Sequence, residues 1–149
     1  MYYKDNTEYN YCLPVGYSLS GVRNIGWLDK DVSFCKGISD TLFVDKLAEI
    51  ILFKENVRCY VVNAIRGYYR CNLCNKDMVT FIKDDEKIYL GMSEILIPSV
   101  KNKEYFIFPS LILHYIVAQN YKPPENFVIS VTSLNLLHKF NAQDVYIRK

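Results

Sequence analysis

The chain has 149 residues, half of them apolar and 23% charged, and its 18 basic and 16 acidic side chains leave a net charge of +2. A chain of this size and polarity can bury its own core, so it reads as one domain over residues 1–149 rather than as a disordered polymer. Near-neutral charge without a basic stripe argues against a dedicated nucleic-acid binder, whose phosphate contacts need clustered Lys and Arg.

Residues 1–39 are rich in turn formers, with Pro14, Gly16, Gly21, Gly26 and Gly37 set among aromatics. This predicts irregular structure with one or two short strands wrapped over the core. Trp27, the single tryptophan, stands in Gly26-Trp27-Leu28 and reads as a core anchor. The opening Met1-Tyr2-Tyr3-Lys4-Asp5 has neither an apolar run nor a small-residue cleavage site, so no signal peptide is expected. Asp40 predicts an N-cap for a helix over 41–54, in which Phe43, Leu47, Ile50 and Ile51 recur at helical spacing opposite Asp45 and Glu49.

From Val57 the pattern changes to strands, expected at 58–65, 78–82, 87–90, 94–97 and 104–108. Turn chemistry at 72–77, 83–86 and 100–103 divides them, and such short spacings favour an antiparallel meander. Pro109 predicts the start of a second helix through residue 120, since proline suits a first turn. Pro123-Pro124 opens a third helix with Phe127, Val131 and Leu134 on one side, and residues 144–149 form a terminal strand or a frayed end. The expected fold is α+β, a central antiparallel sheet of about five strands flanked by about three helices, with an irregular N-terminal segment.

The chain has five cysteines, an odd number, which together with the absent export signal argues for reduced thiols in a cytoplasmic protein. Cys71 and Cys74, in Tyr69-Arg70-Cys71-Asn72-Leu73-Cys74-Asn75, have the spacing of a zinc knuckle, a turn that aims two thiolates at one point. One knuckle supplies two of four ligands, so Cys12, Cys35, Cys59, His114 or His138 would have to complete the site from a distance. The metal-ligand candidates are Cys71, Cys74 and His114. The opposing reading is two reduced, partly buried thiols, so the base expectation is no cofactor, with zinc as the alternative. His114 is either a ligand or a hydrogen-bonded histidine at the core boundary.

No catalytic set stands out, and a protein that is not an enzyme is expected. No cysteine sits at a helix N-terminus or glycine elbow, the glycines are isolated, and Asp84 and Asp85 lie in a hydrophilic turn without burial. The 13 Tyr and 8 Phe suit either a semi-polar core margin or a binding face. The function expected is therefore a protein-binding module, most concretely a cytosolic immunity protein that neutralises a bacterial toxin. Tyr68, Tyr69 and Arg70 are the candidate partner contacts, and neither nucleic acid nor a membrane is expected as partner. The alternative is a zinc-knuckle regulatory or RNA-contacting domain, in which Arg66, Arg70 and Lys76 meet phosphates and Tyr68 and Tyr69 stack bases.

Five motifs recur in order: Gly26-Trp27-Leu28, Arg66-Gly67 before Cys71-x-x-Cys74, Gly91-x-Ser93-Glu94-Ile95, Pro109-x-Leu111-Ile112-x-His114-Tyr115, and Tyr121-x-Pro123-Pro124-x-x-Phe127. The set resembles an uncharacterised family of short, stand-alone bacterial proteins, over about residues 26–131. That resemblance implies a cysteine–histidine metal site linking the knuckle to a helix, and no established activity. In the family pattern a His precedes the first Cys by two residues and another follows the His-Tyr pair. Tyr69 and Gln119 stand at those positions here, and neither is a usual zinc ligand, which weakens the implied site.

Overall fold

A computed structural model of the chain describes residues 2–10, 19–52, 59–64, 67, 69–137 and 140–148. The N-terminal segment supplies β1 (Glu8–Tyr9) and β2 (Leu19–Asn24), followed by α1 (Thr41–Leu52) and β3 (Val61–Val62). Two hairpins come next, β4 (Thr80–Lys83) with β5 (Glu86–Tyr89), and β6 (Glu94–Pro98) with β7 (Tyr105–Pro109). The helices α2 (Ile112–Ala118), α3 (Glu125–Ser133) and α4 (Ala142–Arg148) complete the described chain.

The fold is α+β, as the sequence predicts. A mixed, mostly antiparallel five-stranded sheet runs in the order β1-β2-β7-β6-β3, and β4 and β5 form a separate two-stranded ribbon. The ribbon stands apart from the expected meander, closed by Asp84 and Asp85 at φ +51° and +63°. Two consecutive left-handed residues give the tight two-residue turn that matches strand twist. The N-terminal strand β2 pairs in parallel with β7, Val22 lying opposite Tyr105 and Asn24 opposite Ile107.

Strands β6 and β7 are apolar at successive positions because both faces of the sheet are covered. Ile95, Ile97, Phe106 and Phe108 point into the core formed with α1, α2 and α3. Leu96 and Ile107 point the other way, into a second cluster with Tyr9, Val22, Trp27, Val62 and Ala142 of α4. Phe127 of α3 sits at the centre of the first core, its ring edge-on to those of Phe43, Phe106 and Phe108 at 5.1–6.2 Å. Helix α1 starts where expected, with the Asp40 carboxylate accepting the Leu42 N–H at 3.0 Å. Trp27 is a core anchor as expected, and its indole N–H donates to the Ile107 carbonyl at 3.3 Å.

Further expectations change. Pro109 ends β7 opposite Glu94 instead of opening a helix, and α2 begins at Ile112. The pairing of β7 with β6 outweighs the local preference of proline for a first helical turn. The C-terminal tail is the helix α4, not a strand or a frayed end. Asn141 accepts the Asp144 N–H at its start, and Ala142, Val145 and Tyr146 pack on the sheet. Of the strand expected at 58–65, the described residues 59–64 hold the two-residue β3, while residues 53–58 and 65–66 lie outside the described range. Among the described residues no helix is long and apolar enough to cross a membrane.

Candidate metal centre

The knuckle is built by its own backbone and held by one glycine. The Asn75 N–H donates to the Cys71 carbonyl at 2.7 Å, and the Cys71 N–H donates to the Lys76 carbonyl at 3.0 Å, closing a loop around Asn72, Leu73 and Cys74. Asn75 takes the left-handed conformation at φ +60°, a role to which asparagine is suited among residues with a side chain. Upstream, the Tyr69 N–H donates to the Gly91 carbonyl at 2.9 Å. Gly91 stands at φ +92°, and a Cβ there would come within 2.8 Å of the Tyr69 carbonyl oxygen. The Gly91 N–H in turn donates to the Ser110 hydroxyl at 2.8 Å, which ties the approach to the knuckle to the segment leading into α2.

Helix α2 directs Ile112, Leu113, Tyr115 and Ile116 into the core, and His114 is left half-buried. Its Nε2 lies 3.3 Å from the Cys74 Sγ. The ligand atoms of Cys71, Cys74 and His114 all lie within 4.8 Å of one another, close enough to hold a metal ion. Ligands on one tetrahedral zinc stand about 3.5–3.8 Å apart, given Zn–S near 2.3 Å and Zn–N near 2.0 Å. Small side-chain movements would bring the trio to that spacing.

The electrostatics prepare each donor differently. Burial pushes the Cys71 thiol up, while the backbone N–H groups of Cys74 and Leu73 pull it back by hydrogen bonding to its sulfur. Donation of this kind from a turn favours the thiolate. Burial, and then the Lys76 charge, pull His114 below the usual imidazole range, so at neutral pH its ring keeps a lone pair for a metal. Cys74 is exposed and Cys71 buried, so the cluster has one edge at the surface.

Of the other thiols proposed to complete the site, Cys35 and Cys59 are free but do not join the cluster. Cys12 and His138 lie outside the described residues, as do Arg66 and Tyr68. Tyr69 and Arg70 are exposed, and with Trp27, Asn72, Leu111 and Tyr115 they line a cleft beside the knuckle. Arg70 also stands 3.6 Å from the Asp77 carboxylate and donates to the Asn75 carbonyl at 3.4 Å.

A second polar centre escapes the sequence reading. Glu94 is buried on the α4 face of the sheet, where Tyr9 donates to it at 2.9 Å and Asn63 donates to the Tyr9 hydroxyl at 3.1 Å. Burial pushes the Glu94 carboxyl up to about 7, against hydrogen bonds from Tyr9 and Asn63 that lower it. The signal available in the sequence is an acidic residue opening the otherwise apolar Glu94–Pro98 strand.

A protein-family model described as Domain of unknown function (DUF7919) matches residues 1–132, which include the knuckle and His114. Kinship with an uncharacterised domain family is thereby shown. No curated protein and no solved structure matches the chain.

Proposed function

The chain belongs to the DUF7919 family, and we propose that it is a zinc-binding module whose work is to recognise another protein. The observation that carries this reading is the convergence of Cys71, Cys74 and His114 within 4.8 Å. Two thiolates and an imidazole select zinc over the hard cations magnesium and calcium, which prefer oxygen. The ion would fasten the knuckle to α2 and give a short loop a rigid shape.

Recognition fits this centre better than turnover does. Among the described residues the cluster holds no Asp or Glu that could act as a base beside the metal. Tyr69 and Arg70 stand exposed next to it, and tyrosine and arginine concentrate in protein interfaces. The narrower form of the reading is an immunity protein that neutralises a toxin, and it rests on the 13 tyrosines of the chain, a residue that supplies large contact area at low entropic cost.

Elemental analysis of protein purified under reducing conditions tests the metal, with about one zinc per chain expected for a single structural or interface site. Co-expression with a toxin encoded beside the gene tests the narrower form. Metal-free protein would sink the first part, and failure to protect the cell would sink the second.

A further inference from the structure

Building on the zinc reading, we infer that the fourth position of the metal is open at the surface and receives a carboxylate, an acidic side chain on an extended segment of the partner protein. Tetrahedral zinc needs four donors. Among the described residues the cluster offers three. Because Cys74 is exposed, the cluster meets solvent on its own side of the knuckle. A position left open in this way is filled by water or by a ligand that displaces it, as at zinc sites with three protein ligands.

Charge selects the class of ligand. Two thiolates and a neutral imidazole cancel the charge of a zinc dication, which leaves the flanking cations to set the local potential. Lys76 closes the knuckle, its carbonyl accepting the Cys71 N–H at 3.0 Å, and so brings one positive charge to the edge of the cluster. Arg70, on the other side of Cys71, is held by Asp77 and the Asn75 carbonyl. One cation with a second already paired suits a singly charged carboxylate. A phosphate chain would call for more Lys and Arg than this near-neutral protein places here.

The cleft beside the knuckle says what carries the carboxylate. Trp27, Leu111 and Tyr115 give it apolar walls, while Tyr69, Arg70 and Asn72 form its rim. Asn72 lies between the two cysteines and Tyr115 follows His114 on α2, and both line the cleft. The cleft and the metal cluster are therefore neighbours, and an extended peptide could place an apolar side chain in one and an acidic side chain on the other. A free small acid would use the metal alone.

The test is spectroscopic and uses the whole chain with cobalt(II) in place of zinc. Thiolate-to-cobalt charge transfer reports uptake, and its absence would sink the zinc reading itself. With cobalt bound, the ligand-field bands should shift saturably with acetate. They should shift at lower concentration with acetyl-Leu-Glu-Leu-amide, and not with acetyl-Leu-Gln-Leu-amide. Lys76→Gln should weaken the acetate response of the cobalt-loaded protein by about two- to fivefold, the range of one exposed charge. Cys12→Ser and His138→Ala should leave the bands unchanged.

Bands that ignore every carboxylate, or that change in either of those last two variants, would show a position closed by the chain and overturn the inference. A response to inorganic phosphate in preference to acetate would overturn the carboxylate and point to a phosphorylated or nucleic-acid partner. Equal affinity for acetate and the glutamate peptide would overturn the partner segment.

Discussion

The Sγ of Cys74 lies 3.3 Å from the Nε2 of His114, across 40 positions of sequence. That approach turns a two-cysteine turn into a three-donor cluster, because α2 is held against the knuckle by the core that Ile112, Leu113 and Ile116 enter. His114 therefore has its place set by packing, before any ion arrives.

Removing one donor should remove the metal. His114→Ala and Cys74→Ser are each expected to weaken zinc binding by more than about 100-fold, beyond the 10–100-fold typical of losing a supporting group. A competition titration with a chromophoric chelator measures this. Chelation of the wild-type protein should lower its Tm, and the two variants should show no such response to chelator.

Glu94 should make stability fall as pH rises. Its carboxyl is pushed up to about 7 in the fold, against about 4.3–4.5 in an unfolded chain. The folded state then binds more protons between those two values, so its stability is fully present below about 4.5 and declines as the pH rises through about 7. Glu94 is 5% exposed, so solvent screens little of the effect, which amounts to about 3 kcal/mol at roughly 1.4 kcal/mol per pH unit. Urea denaturation at pH 5 and pH 8 should show the loss in the wild type and not in Glu94→Gln. An equal loss in the variant would assign it to other groups.

Gly91→Ala should damage the knuckle from a distance. The new methyl group would press on the Tyr69 carbonyl at 2.8 Å and would sit at φ +92°, a combination expected to cost about 1–3 kcal/mol. Because Tyr69 leads directly into the knuckle, zinc affinity should drop along with stability. Gly67→Ala meets nothing within 4 Å and serves as the control.

Phe127→Ala should be among the most destabilising single changes. The ring meets those of Phe43, Phe106 and Phe108 and is fully buried, so its loss is expected to cost about 3–5 kcal/mol. Ile129→Ala, on the exposed side of the same helix, should change stability by about 0.5 kcal/mol or less. Chemical denaturation of the two variants side by side measures the contrast.

Much of the fold was legible in the chain. The cap at Asp40, the Asp84-Asp85 turn and the apolar runs of β6 and β7 each depend on residues close together in sequence, so local rules locate them. The same rules misplaced Pro109, whose neighbours in sequence favour a helix start while its partner across the sheet, Glu94, keeps it in a strand. The tail went unread as a helix because α4 takes its stability from packing on β3 and β6, not from its seven residues alone.

By itself the sequence determined the α+β class, the knuckle with its two thiols and the candidacy of His114, all of which rest on residue type and short-range spacing. Only the tertiary structure decided that His114 reaches Cys74 while Cys35 and Cys59 do not, that Tyr9 meets Glu94, and that β2 lies beside β7. These are meetings between distant segments. They depend on the order of strands in the sheet and on which face each helix covers, and no local pattern of residues encodes either.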